Sequence, residues 1–330
     1  MASLNFLDLA KANSSDVVGA IIEDVTNVAP ELAGNGKGFA GIPMSDELLS
    51  EPGVLTYSTL HRTALPTVSF ANAGEGFDAS KSELKLVEHK CYRFGSRVEA
   101  LKHIADNWRR GGAGGYQAFE AKGVLEAALQ LIGRQVYYGI SADGKGFPGL
   151  KAFTPYGGTY TLNAEGTTSS TASSVYFVKF GEGFVQFMPA LARNGSGLID
   201  LPDFIVESVL AGDGKQAWAY VSELSSYLGL QIAHPASVIR ICNLTADNGK
   251  GLTDAKLNAA LRLAPANFTY DAIFMSRRSC SQLQDSRTVV LQGQGKIRPD
   301  QESVAPRPTE FEGIPIVETD SIGITDAIES

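Results

Sequence analysis

The residues with chemical potential are few and scattered. Gly144, Gly146 and Gly149 spell GxGxxG, the spacing that in dinucleotide sites lets a backbone approach pyrophosphate at a helix N-terminus. That chemistry needs a strand before the glycines and a helix after them. Here a helical pattern comes before and Pro148 leads into an extended pattern, so the segment is read as a turn. Gly34, Gly36 and Gly38 lack the Gly-Lys-Ser/Thr ending of a phosphate loop, and Phe39 stands where a hydroxyl is required. His61, His89, His103 and His234 show neither HxH nor HExxH spacing, so no metal site is assigned. There is no GxSxG elbow for a serine nucleophile. Asp247-Asn-Gly249 and Asp213-Gly214 resemble fragments of calcium loops without the terminal glutamate, and read as turns. Cys91, Cys242 and Cys280 are odd in number and widely spaced, which suits reduced thiols better than a disulfide framework. No catalytic, cofactor-binding or metal residue is named on these grounds, and the chain is read as a non-enzyme with no cofactor.

Composition is that of a globular chain. Of 330 residues, 44% are hydrophobic and 19% charged, and the net charge of −8 is unlike the basic footprint of a dedicated nucleic-acid grip. No apolar run reaches the ~18 residues of a membrane span, and the first residues lack the plan of a signal peptide. A cytoplasmic origin follows as the expectation.

The elements that must position any function are read from periodicity. Residues 1–52 form an arm, in which Ser14 or Ser15 caps a short helix with Val17, Val18, Ile21, Ile22 and Val25 on one face, ending before Pro30. Residues 53–98 read as a long hairpin with limbs of roughly 50 Å and a turn-rich tip at 72–82. Neither limb has one clean buried face, so the ribbon is expected to find cover on another chain; joining this chain's own sheet is the alternative. Residues 97–110 read as a short helix broken by glycines.

A long helix follows over 116–139, with Ala118, Ala121, Leu125, Ala128, Leu129, Ile132 and Val136 on one stripe and Gly123 and Gly133 near the polar side. Leu125, Leu129, Ile132 and Val136 are assigned to its core face. Beyond 150 come short strands and glycine turns, a helix over 215–229, a strand over 237–244, and a helix over 252–263 capped by Thr253. Ala272–Met275 is a strand running into a helix capped by Ser276, and 313–322 a closing strand whose prolines favour an edge. Arg277, Arg278 and Arg287 cluster near one helix, suited to surface salt bridges or to contact with a neighbouring subunit.

The order of VYYGISADGKGFPGL, FMSRRSCSQLQDSR and GIPIVETDSI, with LHRTALPTVSF and IIEDVTNVAPEL upstream, resembles that of tailed-bacteriophage major capsid proteins of the podophage type, whose fold is shared with encapsulins. The resemblance covers most of residues 15–325, with 157–236 unmatched. It implies an α+β chain with an N-terminal arm (1–52), an extended hairpin loop (53–98), a peripheral domain on a spine helix (99–150), an axial domain (151–290) and a return to the peripheral domain (291–330). It further implies hexamers and pentamers of this chain in an icosahedral virion shell assembled in the host cytoplasm. Partners would be portal and scaffolding or decoration proteins, with double-stranded DNA held non-specifically and no membrane involved. Inter-subunit contacts are assigned to Arg62, Phe70, Glu75, Phe77 and Lys81 on the hairpin, and to Arg277 and Arg278. An encapsulin-like cargo shell is the alternative within the fold; a cytosolic hydrolase or a sugar-binding domain is the alternative from another class.

Overall fold

The computed structural model describes residues 29–34, 39–45, 48, 54–109, 111–190, 203–210, 214–293 and 304–330. The arm helix expected between Ser14 and Val25 and the turns at 35–38, 192–197 and 213 lie outside these.

The long helix spans Gly112–Tyr138, four residues earlier than periodicity predicts. Its start is set by packing: Trp108 lies 5.3 Å from Tyr116 and 6.1 Å from Phe119, ring centre to ring centre. Those contacts hold the glycine-rich first turn helical despite its low propensity. Apart from Tyr116 near its start, the deeply buried residues begin at Ala128, and Ile132 and Val136 join a core with Tyr137, Phe147, Leu150 and Phe274. Leu129 is half-buried and Leu125 is 39% exposed, so the assigned core face holds at Ile132 and Val136 and fails at Leu125. Between Tyr116 and Ala128 the helix has no deeply buried residue, and periodicity does not reveal where that cover is missing. Gly133, expected on the polar side, is instead a contact point. A Cβ there would lie 2.4 Å from Ser321 Oγ and 2.8 Å from Glu31 Oε2, so the arm and the closing segment press on the helix at this residue. Thr319 Oγ donates to Glu31 Oε1 at 2.6 Å, and burial pushes the Glu31 carboxyl above its ordinary value.

The helix stops at Gly139 (φ 54°, ψ −138°), and GxGxxG is the turn that follows. Gln135 Nε2 donates to the carbonyls of Lys145 and Phe147, both at 2.9 Å, pinning the turn to the helix. After Pro148 the chain forms a short helix, Leu150–Phe153, where an extended segment is expected; Leu150 is drawn into the core. A Cβ on Gly139 would sit 2.0 Å from the Gly149 nitrogen. Gly139→Ala is therefore expected to cost at least about 1–3 kcal/mol from backbone strain, read as a lowered melting temperature.

Three sheets surround this axis. β1 (Thr56–Ala64) and β2 (Glu83–Lys90) make a two-stranded ribbon. A four-stranded sheet holds β3 (Tyr92–Leu101), β6 (Val185–Ala190), β7 (Ile205–Leu210) and β8 (Gln216–Ile232), with β8 pairing all the others. A six-stranded sheet has the order β11 (Glu310–Phe311), β12 (Ile314–Glu318), β10 (Ala272–Met275), β5 (Ser173–Val178), β9 (Val238–Leu244), β4 (Thr161–Asn163). One face of this sheet joins the spine-side core; the other packs on the helices Asp254–Leu261 and Arg277–Gly293 through Leu257, Cys280 and Leu283. Thr253 Oγ caps the first helix by accepting from Lys256 N, and Ser276 Oγ accepts from Ser279 N at the second. β12 lies one strand from the edge, covered by the two-residue β11.

Two expected helices are strands instead. The helix over 215–229 is β8, and of 97–110 only Lys102–Ala105 is helical, the rest of its start belonging to β3. The two strands pair from Tyr92↔Leu228 to Leu101↔Ala219, and that ladder satisfies their backbone groups in a way no local pattern announces. The four-stranded sheet thus draws strands from both sides of a division at residue 150.

Candidate inter-subunit surface

The ribbon is built from the bottom by its hinge. Cys91 N donates to Leu55 O at 2.8 Å, and Cys91 Sγ reaches Met188 O at 3.2 Å. Cys91, Met188, Ala190 and Leu48 form a small core under the junction, with Tyr57 and Tyr227 packed against it. From there β1 and β2 pair antiparallel from Thr56↔Lys90 to Ala64↔Glu83, with a register shift after Arg62. Regular pairing covers about 30 Å, less than the limbs expected from composition. Residues 65–82 form an unpaired tip closed by an Asn72–Glu75 turn, in which Asn72 N donates to Glu75 Oε2 at 2.9 Å. Those bonds hold the Glu75 carboxyl below its usual range.

Opposed residues of an antiparallel pair share a face, so the register divides the ribbon into two unlike surfaces. Tyr57, Thr59, His61, Val87 and His89 are half-buried and face the body. Ser58/Glu88, Leu60/Leu86 and Arg62/Leu84 point the other way. Leu60 is 65% exposed, and Leu84 and Leu86 are each 58% exposed. Three leucines thus form a row in water on a ribbon whose outer edges bear no ladder among the described residues.

The assigned contact residues fall into two groups. Arg62 lies on the leucine face, and Phe70, Glu75, Phe77 and Lys81 are exposed on the tip, with both phenylalanine rings largely in solvent. Arg277 is exposed at the start of its helix. Arg278 is not available to a neighbour: its guanidinium donates to the carbonyls of Ile324, Thr171 and Leu244 at 2.8–3.0 Å, tying the C-terminal segment to the six-stranded sheet. Arg287 pairs with Asp254 at 2.7 Å. In sequence neither limb shows one clean buried face; that Leu60, Leu84 and Leu86 share a face depends on the register between the limbs, which one strand's sequence does not contain.

Among the described residues no cluster of three His, Cys, Asp or Glu is placed to hold a metal ion, and no helix is long and apolar enough to cross a membrane. All three cysteines are buried and free.

Residues 53–328 match the family model described as major capsid protein GP7. In solved structures, the chain is similar to a chain of the bacteriophage epsilon15 structure, with a TM-score of 0.69, 16% identity, and coverage of 99% of this chain and 97% of that one. Weaker likenesses include the bacteriophage JBD30 capsid (TM-score 0.46, 10% identity, 85% and 88% covered) and the SrpI encapsulin of Synechococcus elongatus (TM-score 0.42, 7% identity, 62% and 86% covered). No curated protein matches the chain in sequence.

Proposed function

This chain belongs to the major capsid protein GP7 family and has the tailed-phage capsid fold, and from that premise we propose that its ribbon closes a virion shell by laying its leucine face on a neighbouring copy. The role of the family is structural. The observation that carries the contact is the exposed row Leu60, Leu84 and Leu86 on the side of the ribbon turned away from its own body. A two-stranded ribbon is marginal in water by itself, and an apolar row with free edges is satisfied by a second surface. Arg62, Phe70, Glu75, Phe77 and Lys81 extend that contact toward the tip, and Arg277 provides a charge on the body.

Copies repeated around closed five- and six-fold axes supply many such contacts at once, giving hexamers and pentamers of an icosahedral shell. In this reading the arm and ribbon are the outreaching parts. The spine helix with the four-stranded sheet forms the peripheral domain, and the six-stranded sheet with its two helices forms the axial one. On this reading β6, β7 and β8 belong to the peripheral side. Portal and scaffolding or decoration proteins are the further partners. Packaged double-stranded DNA is met only non-specifically, in keeping with a net charge of −8. Assembly takes place in the host cytoplasm. A virion shell is preferred to an encapsulin-like cargo shell, and to the hydrolase and sugar-binding alternatives, because the matched family is a capsid family.

The test replaces Leu60, Leu84 and Leu86 together with serine. Burying one leucine contributes about 1.5–3 kcal/mol, so three lost from every interface are expected to abolish shells in electron micrographs and light scattering. The subunit's own melting temperature is expected to stay unchanged. Deleting Asn72–Ser82 is expected to leave a folded subunit that assembles poorly. Shells at normal yield from the triple-serine chain would remove the leucine face from the interface.

A further inference from the structure

Between the base of the ribbon and the body lies a cleft of about 870 Å³, lined on one side by Tyr57 and His61 and on the other by Tyr160, Glu182, Gln231 and His234. His61 Nε2 and His89 Nε2 both meet the hydroxyl of Thr59, at 2.7 and 3.3 Å. The Thr59 hydroxyl, whose own hydrogen can go to Val87 O at 3.5 Å, has two lone pairs and so ties the two rings together across the ribbon. Across the cleft, His234 Nδ1 accepts from Ala236 N at 3.0 Å, capping the turn Pro235–Ser237. Its ring stacks 5.3 Å from Phe268, beside Lys179, whose ammonium lies 4.7 Å from the Phe268 ring centre. A proton on Nδ1 destroys that cap and adds a cation next to Lys179.

We propose that these three histidines make the seat of the ribbon a proton-sensitive joint, in which acidification charges both walls of the cleft and releases the ribbon from its own body. The charged groups around the joint favour this direction. Arg62 and Lys90 belong to the outward face, while Lys85 is paired with His61 on the face turned to the body, and Lys179 stands beside His234 on the body. Among the described lining residues Glu182 is the only carboxylate opposing them. Glu88 is on the outward face, and Tyr57 and Tyr160 remain neutral in this range. Burial lowers the affinity of His89 and His234 for a proton, and a charged His61 lowers both further.

The direction with pH follows from these signs. The seated form binds fewer protons than the released form, so seating is strongest above the ordinary imidazole value of ~6.5. It weakens as pH falls from there toward the depressed values of the seated His89 and His234. In that window each additional proton taken up on release moves the released-to-seated ratio about tenfold per pH unit. The inference concerns the face turned to the body and does not depend on what covers the leucine face.

The experiment measures the distance between spin labels on Glu83→Cys, at the far end of β2, and Asn258→Cys, exposed on the body, in the unassembled full chain. The native cysteines are buried and spared. Lowering pH from about 7.5 to about 5, across the ordinary imidazole range, is expected to raise the fraction of a longer-distance population at least tenfold. The combined variant His61→Gln, His89→Gln, His234→Asn retains neutral hydrogen-bonding groups and is expected to lose the response. His61→Gln alone, on the ribbon and outside any core, is expected to weaken it. A parent distance that does not move with pH, or a response that survives in these variants, overturns the proposal.

Discussion

Replacing Glu329 with alanine is expected to cost about 3–5 kcal/mol of folding stability, the penalty for stranding one member of a buried ion pair. The partner left behind is Arg240, whose side chain is 2% exposed on β9 of the six-stranded sheet. Its Nη1 and Nη2 donate to Glu329 Oε2 and Oε1 at 2.8 and 2.6 Å, a two-pronged grip that Lys151 joins from 2.7 Å. Asn243 completes the clasp: its Nδ2 donates to Glu329 O at 2.8 Å, and its Oδ1 accepts from Glu329 N at 2.9 Å. The penultimate residue of the sequence is therefore a structural part of the sheet.

Burial works to raise the Glu329 carboxyl, but Arg240 and Lys151 outweigh it and hold it below the ordinary value of 4.5. A carboxyl lowered on folding adds stability above its unfolded value, and that stability is lost as pH falls through the folded one. The gap in urea midpoint between the parent and Glu329→Ala is thus expected to be full at neutral pH and to close in acid. Exchanging both partners for apolar residues, Arg240→Met with Glu329→Leu, is expected to recover most of the loss. An unchanged midpoint for Glu329→Ala at neutral pH would show that the clasp carries no stability.

Val136→Asp is the second large effect, expected to prevent folding altogether. Val136 is buried among Tyr137, Phe147 and Leu150 where the spine meets both sheets, and a carboxylate there has no partner, a cost of several kcal/mol. The same change at Leu125, 39% exposed, is expected to leave the fold intact, with Leu129→Asp between the two because that side chain is half-buried. Soluble yield and circular dichroism of the three variants measure the gradient. Equal tolerance at all three positions would mean that the spine turns a different face to the core.

These two sites differ in how visible they are in sequence. Val136 belongs to a stripe that a 3.6-residue period reveals. The clasp between Arg240 and Glu329 joins residues 89 positions apart, and nothing near either one announces the other. The histidines are similar: His61, His89 and His234 have no common spacing, yet His61 and His234 line one cleft and His89 joins His61 through Thr59. The tip of the ribbon was legible because turn-forming residues state their own geometry. Its two faces were not, because register is a property of a pair of strands.

By itself the sequence determined whatever depends on neighbours along the chain. The spine ends at Gly139 because a φ of 54° with ψ of −138° suits glycine. Ala272–Met275 is a buried strand because it is short and continuously apolar, and Val238–Leu244 because it is short and mostly apolar with branched side chains. Thr253 and Ser276 begin helices because their hydroxyls accept from free backbone N–H groups. Tertiary structure alone decided the state of residues 216–232, whose Trp218, Val221, Leu224 and Leu228 fit a helical stripe as well as a strand. Pairing with β3 on one side and with β6 and β7 on the other made them β8. Local preference differs by only about 1 kcal/mol per residue, and a ladder satisfied along both edges exceeds it.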